Sequence, residues 1–368
     1  MSFSPPPYPY ERLDGLKRLA GAHEGGAVDL SIGTPVDPPP DVALAALASA
    51  SGARGYPPSA GTPELRRAAG EWLERRFGLA AAPEALAVCV GTKEFVASLA
   101  GFLHLRSPER DTVLYPAISY PTYAMGATLA GLRAVAVPLV AGRLDVAAIE
   151  PDDAARALVL WANSPANPTG ALEDLGAVAA WGRAHGVLVA SDECYADFTW
   201  AGPARTILEH GGEGVLALHS VSKRSNLAGL RAGFYAGDPE VVEYLRALRQ
   251  HAGLMVAGPV QAAVAAAYGD EAHVEVQRAR YLARLERLAG ALGAIGVVAP
   301  RPAGSFYLWA HAEGLDGWTL AERLAERGGV VVSPGELYGP DGAPYVRVAM
   351  VAPDEAIERV ARRLEDSV

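Results

Sequence analysis

The sequence predicts an α/β protein, with a large domain on a mostly parallel seven-stranded sheet sandwiched by helices, and a smaller α+β domain after it. Three observations carry this. A chain of 368 residues is too long for one simple core and suits one large domain with a smaller one. From residue 86 to 237, short apolar runs alternate with helical stretches, as in a parallel sheet covered on both faces. After a long helical stretch the alternation gives way to three strands and a closing helix.

In chain order, residues 1–40 read as an N-terminal arm that packs with the small domain. It is proline-rich ("PPPYP", "VDPPP") and holds a short helix around Glu11–His23. Asp41 is expected to cap a helix through "VALAALAS". A Gly/Pro-rich loop, "SGARGYPPSAGTP", leads to a helix from Glu64 to Phe77. The expected strands are "LAVCV", "DTVLYP", "RAVAVPL", "ALVLWAN", "VLVASDE", "VLALHS" and "AGFYAG". The long helical stretch covers about 239–292. Strands follow at "SFYLWA", "GVVVS" and "YVRVAM", then a helix from Pro353. The large domain is expected over 41–290 and the small one over 291–368.

The net charge of −10 argues against nucleic acid or an anionic membrane as partner, though a basic pocket for a small anion remains compatible. The two cysteines, Cys89 and Cys194, have no metal-type spacing and read as small buried hydrophobes in a reducing compartment. No metal site is expected. The first residues lack an apolar signal core and no apolar run is long enough to span a bilayer, so a cytoplasmic enzyme is expected.

Ligands of open α/β sheets sit at the carboxyl ends of the strands. The first strand is followed by "GTKE", where Thr92, Lys93 and free helix N–H groups suit a phosphate. The ordinary alternative is a capped helix. Tyr120 precedes Pro121 and can cover a flat ring, or lie in the core. "SPANPTG" offers the Asn167 amide, or a plain Asn-Pro turn. Asp192 and Tyr195 follow an apolar strand, and a buried aspartate there needs a cation, or is a helix cap or an arginine's ion-pair partner. Ser220, Ser222, Lys223 and Arg231 combine phosphate donors with a lysine able to form a Schiff base, or Lys223 is an ordinary solvated surface lysine. Lys223 is one of three lysines in the chain, with Lys17 and Lys93. Neither GxGxxG nor GxxxxGK[ST] occurs, which disfavours a nucleotide-binding oxidoreductase. Taken together, the strand ends supply what pyridoxal 5'-phosphate requires of a protein.

With "SPANPTG", "SDECYADF" and "HSVSKRSNLAGLRAGF" in order, the sequence resembles the class I/II aminotransferases of pyridoxal-phosphate fold type I over nearly its whole length. The resemblance implies a Schiff base on Lys223, a ring-nitrogen partner in Asp192, and ring-oxygen donors in Asn167 and Tyr195. It implies ring stacking by Tyr120, and phosphate contacts from Thr92, Lys93, Ser220, Ser222 and Arg231. Tyr56 resembles the tyrosine that reaches the phosphate of a partner subunit, which implies a homodimer with shared sites. Arg347 resembles the clamp for the substrate α-carboxylate, and Gly33 lies where the arm passes over the substrate.

Within the family the motifs look most like actinobacterial-type N-succinyldiaminopimelate aminotransferases. That implies glutamate as donor, an oxo acid as acceptor, and a place in lysine and diaminopimelate biosynthesis. Arg54 and Arg224 are candidates for the acceptor's further anionic groups, or are solvent-facing arginines. Competing readings are an aminotransferase for aspartate, aromatic amino acids or LL-diaminopimelate, and a carbon–sulfur lyase using the same cofactor. A non-catalytic regulatory module is disfavoured because no stretch remains for a DNA-binding domain.

Overall fold

The computed structural model describes residues 4–6, 8–49 and 54–367. Part of the loop expected after residue 50 therefore lies outside the described residues. The chain forms two compact units. One comprises Pro38–Ala279 with Ala303–Ser305; the other comprises Met1–Asp37, Arg280–Pro302 and Phe306–Val368. The division falls at Ala279/Arg280, inside the helix Ala272–Ala294, and not at the expected 290/291. A continuous helix carries no change of composition at such a point.

The first unit holds the seven-stranded sheet: β1 (Leu86–Cys89), β2 (Thr112–Pro116), β3 (Arg133–Val137), β4 (Ala157–Asn163), β5 (Leu188–Asp192), β6 (Val215–Ser220) and β7 (Gly233–Gly237). Their order is β1-β7-β6-β5-β4-β2-β3. All neighbours are parallel except β7, which is antiparallel to both β1 and β6. Apart from the exposed edge strand β3, both faces of the sheet are dry. Ala87, Cys89, Trp161 and Tyr235 pack on one side with Phe95 and Tyr123. Leu86, Val88 and Phe234 face the opposite side with Trp72 and Tyr268, and Leu160 and Val189 join a neighbouring apolar layer. Every residue of β4 is buried, which is why its sequence reads as a continuous apolar run and not as an alternation.

The single helical stretch expected over 239–292 is three helices: Pro239–His251, Gly258–Gly269 and Ala272–Ala294. Gly253 at φ +70° and Pro259 at a helix start supply the first break. Asp41 is the first residue of its helix rather than the cap, because Pro40 occupies the cap position.

The second unit contains a three-stranded antiparallel sheet with Tyr345–Ala349 between Tyr307–His311 and Ser333–Pro334. Val28–Asp29 pairs in parallel with Val330–Val331, so the N-terminal segment is part of this unit. Asp37 adds a two-pronged ion pair to Arg284 at 2.6 and 2.7 Å, and Arg284 also donates to Asp354 at 2.6 Å. The expected strand "GVVVS" is split into two short pieces, Val330–Val331 and Ser333–Pro334, which join different sheets.

Candidate active site

In the first unit, polar residues gather at the carboxyl ends of β4, β5 and β6. Asn163 and Asp192 are paired neighbours in the sheet, and Asp192 in turn pairs with Leu218. Asp192 is buried; its Oδ2 accepts from Tyr123 Oη at 2.9 Å and its Oδ1 accepts from Cys194 N at 3.2 Å. Burial raises its carboxyl above the usual range, opposed by the Cys194 and Tyr123 hydrogen bonds and the Lys223 charge. Lys223 follows β6 on the one-turn helix Val221–Arg224 and is half-buried.

Asn167 lies on the turn after β4, beside two cis prolyl bonds, Ser164–Pro165 and Asn167–Pro168. Its backbone N donates to Asn163 Oδ1 at 2.7 Å, while Asn163 Nδ2 donates to the Asp192 carbonyl at 2.7 Å. Asn163 thus ties the Asn167 turn to the Asp192 strand, a function that the apolar run "ALVLWAN" hides. Tyr123 is the second residue missed. Its ring stacks on Trp161 with centroids 5.1 Å apart, and that packing aims its hydroxyl at Asp192. The three-residue spacing in "YPTY" was its only signal: Tyr120 meets Tyr123 edge to face across 6.0 Å. Tyr195 is buried.

The remaining residues form a cradle at the start of the helix Thr92–Arg106. Gly91, at φ +75°, occupies the cap position. A Cβ added there would stand 2.4 Å from Arg231 Nη2, so the guanidinium lies directly against the helix N-terminus. Arg231 itself has φ +52° and donates to the Ala228 carbonyl at 2.8 Å, which fixes its turn. Ser220 Oγ and Ser222 Oγ are 3.0 Å apart, and Ser222 N donates to Ser220 Oγ at 3.1 Å. Thr92 Oγ1 accepts from Cys194 Sγ at 3.3 Å, so Cys194 belongs to the cradle and is not merely core filler. Lys93 is exposed.

Arg347, in the second unit, is 2% exposed, donates to the Ser31 carbonyl at 2.5 Å and lies over the rings of Tyr307 and Tyr338. Gly33 packs so closely on Tyr307 that a Cβ would stand 2.0 Å from its hydroxyl oxygen. Tyr56 is 98% exposed, and Arg54 is exposed. Arg224 needs correction on both expectations. It neither faces solvent nor waits for a substrate anion: it is buried and bound to Asp197 at 3.1 Å and Glu271 at 3.2 Å.

These residues fit pyridoxal phosphate by chemistry. Helix N–H groups, two serine hydroxyls and a guanidinium seated where a glycine leaves room make an anion cradle. A buried carboxylate held by two donors suits a protonated ring nitrogen, and a half-buried lysine suits its aldehyde.

Comparison with known proteins agrees. The family described as "Aminotransferase class I and II" matches residues 26–364. The chain is 42% identical over 369 residues to the 4-dedimethylamino-4-oxo-anhydrotetracycline transaminase of Streptomyces rimosus, covering 98% of this chain and 99% of that one. It is 44% identical over 374 residues to a probable aminotransferase of Mycobacterium tuberculosis, covering 99% and 86%. Among solved structures, a probable N-succinyldiaminopimelate aminotransferase from Thermus thermophilus superposes with a TM-score of 0.85 at 32% identity, covering 98% and 100%. Sequence motifs, sheet topology and these likenesses converge: the chain belongs to the class I and II aminotransferases, pyridoxal-phosphate-dependent enzymes of fold type I.

Proposed function

We propose that the protein transfers an amino group between N-succinyl-LL-2,6-diaminopimelate and 2-oxoglutarate, giving N-succinyl-2-amino-6-oxopimelate and glutamate, reversibly. The likeness to the Thermus thermophilus protein over the full chain carries this choice of substrate. When bound, pyridoxal phosphate supplies an electron-accepting ring conjugated to a carbon–nitrogen bond. Lys223 would hold the cofactor through its Nζ. The same Nζ would hold and move the proton at the substrate Cα. Asp192 would pair with the ring nitrogen and keep it protonated. Asn167 and Tyr195 bond the ring oxygen, and Tyr120 covers the ring. Thr92, Lys93, Ser220, Ser222 and Arg231 hold the phosphate. Arg347 clamps the α-carboxylate as a two-pronged donor, with the arm at Gly33 over the substrate. With Arg224 committed to Asp197 and Glu271, Arg54 is the remaining candidate for a distal anion.

The Streptomyces rimosus relative supports a second reading, in which the acceptor is a polycyclic ketone. The test is purified enzyme with glutamate and a panel of acceptors: the succinylated oxo acid, its unsuccinylated form, oxaloacetate, an aromatic oxo acid and an oxo-anhydrotetracycline. The expected result is a kcat/KM for the succinylated acid at least about tenfold above the others, a difference of about 1.4 kcal/mol in transition-state binding. Preference for any other acceptor replaces this substrate. Lys223→Ala is expected to abolish both turnover and borohydride-stable labelling by the cofactor. Labelling at another residue would remove Lys223 from the mechanism.

A further inference from the structure

Two turns bear the residues that must meet at the cofactor. One follows β5 and carries Tyr195 just before the turn Ala196–Phe198; the other follows β6 and carries Lys223. Both are short, and neither is held by a long helix of its own. Between them lies a buried polar cluster that the proposed reaction does not use. Arg224, next to Lys223, is 2% exposed, and Asp197, two residues after Tyr195, is 4% exposed. Arg224 Nε donates to Asp197 Oδ2 at 3.1 Å, Nη1 donates to the Ala267 carbonyl at 2.6 Å, and Nη2 donates to Glu271 at 3.2 Å. The guanidinium also lies over the rings of Trp72 and Tyr268.

Asp197 is held from other directions too. Arg76 approaches its Oδ1 at 3.4 Å and donates to its carbonyl at 3.3 Å, and Arg278 donates to the same carbonyl. The next residue of the lysine turn, Ser225, is fully buried. It is bonded at 2.9 Å to His273, which is bonded in turn to Asp270 at 2.7 Å. The Ser–His–Asp geometry is not a hydrolytic triad here, because a fully buried hydroxyl meets no substrate. It anchors the lysine turn to the start of the helix Ala272–Ala294.

We propose that Arg224 and Asp197 are positioning residues: their buried ionic tie locks the Lys223 turn to the Tyr195 turn and sets where Lys223 Nζ stands relative to Asp192. A stabilising role alone would be filled as well by apolar side chains of the same volume. A planar guanidinium that donates to Asp197, Glu271, the Ala267 carbonyl and Ser225 Oγ fixes direction as well as distance. The proposal rests on Lys223 being the cofactor lysine.

The test compares holoenzymes of Arg224→Lys, Arg224→Met and the charge-balanced double variant Arg224→Met/Asp197→Asn. Three readouts are used: thermal stability, the pH midpoint of the visible cofactor band, and kcat against KM. The single Met variant leaves Asp197 buried without Arg224 and is expected to lose stability. The double variant removes one charge of each sign and is expected to regain much of that loss. In the double variant the spectroscopic midpoint should still move by on the order of one pH unit, a tenfold change in proton affinity at the linked nitrogen. Its kcat should fall about 10–100-fold with KM little changed, because misplacement acts on the reacting geometry. Arg224→Lys, which keeps the charge but not the fork, should fall between. If every variant that folds titrates and turns over as the wild type does, the tie is structural only and the proposal is overturned. If Lys223→Ala still takes a borohydride-stable cofactor label, the lysine assignment fails instead, and this inference with it.

Discussion

Glu193 stands one residue beyond Asp192 and has the opposite surroundings. It is 1% exposed, and its Oε2 lies 3.4 Å from Nε2 of His219, which is also buried. Rings of Trp72, Phe77 and Phe234 surround the imidazole. Burial pushes the Glu193 carboxyl up to about 8 and the His219 imidazole down to about 3. Near neutral pH the Glu193–His219 pair is therefore uncharged. A carboxyl whose folded pKa lies above its unfolded value keeps a proton that the unfolded chain has released, so its contribution to stability falls as pH rises from about 4.5 to about 8. His219 acts in the opposite direction between about 3 and 6.5. The amide of Glu193→Gln keeps the shape and cannot titrate. Its melting temperature relative to wild type should therefore rise from pH 5 to pH 8, as followed by thermal unfolding at both pH values. A pH-independent difference would mean that Glu193 is ionised in the fold. The sequence shows an Asp-Glu pair after an apolar strand and gives no reason to separate the two. Only the strand's alternation, which turns Asp192 and Glu193 to opposite faces, does that.

At the scale of the element, the cradle depends on one turn. The sequence pointed to a glycine before a helix and to an arginine 140 positions later, but their contact is a product of β7 lying antiparallel beside β1. That register brings Gly233 opposite Cys89, and so carries Arg231 to the helix that starts after Gly91. Gly91→Ala meets two penalties: a left-handed φ of +75° and a Cβ 2.4 Å from the guanidinium. With ψ at 148° the backbone there is one that essentially only glycine adopts, so the first costs about 1–3 kcal/mol of fold stability in the cofactor-free protein. The second forces Arg231 away, and the cofactor dissociation constant should rise at least about tenfold, read by absorbance titration. An unchanged constant would show that Arg231 does not face the phosphate. Motifs on one turn, such as Asn167 or Lys223, were legible because their chemistry is local. Asn163 and Tyr123 were not, since each looks like core until sheet pairing and ring packing aim its polar end at its neighbour.

At the scale of the whole molecule, the alternation of strand and helix was legible because each buried strand is a short apolar run. The unit boundary was not, since it falls inside a continuous helix. Assembly is the remaining step at this scale. Tyr56 is 98% exposed in the single chain, and Val42 and Leu44 on the helix Asp41–Leu47 are exposed by 45% and 44%. Exposed apolar side chains are ordinary one at a time, but a nearly bare tyrosine beside a Gly/Pro-rich loop suits a partner surface. In a homodimer where each site takes Lys223 from one chain and Tyr56 from the other, two defects on different chains complement. Mixing Lys223→Ala subunits with Tyr56→Ala subunits then gives hybrids with one doubly defective site and one intact site. With random exchange half the dimers are hybrids, so activity at limiting cofactor should rise to about one quarter of wild type, above that of either parent. Sedimentation of the mixture checks that exchange has occurred. Exchanged dimers with no gain would leave Tyr56 outside the partner's site, and a monomer with full activity would remove the shared-site arrangement altogether.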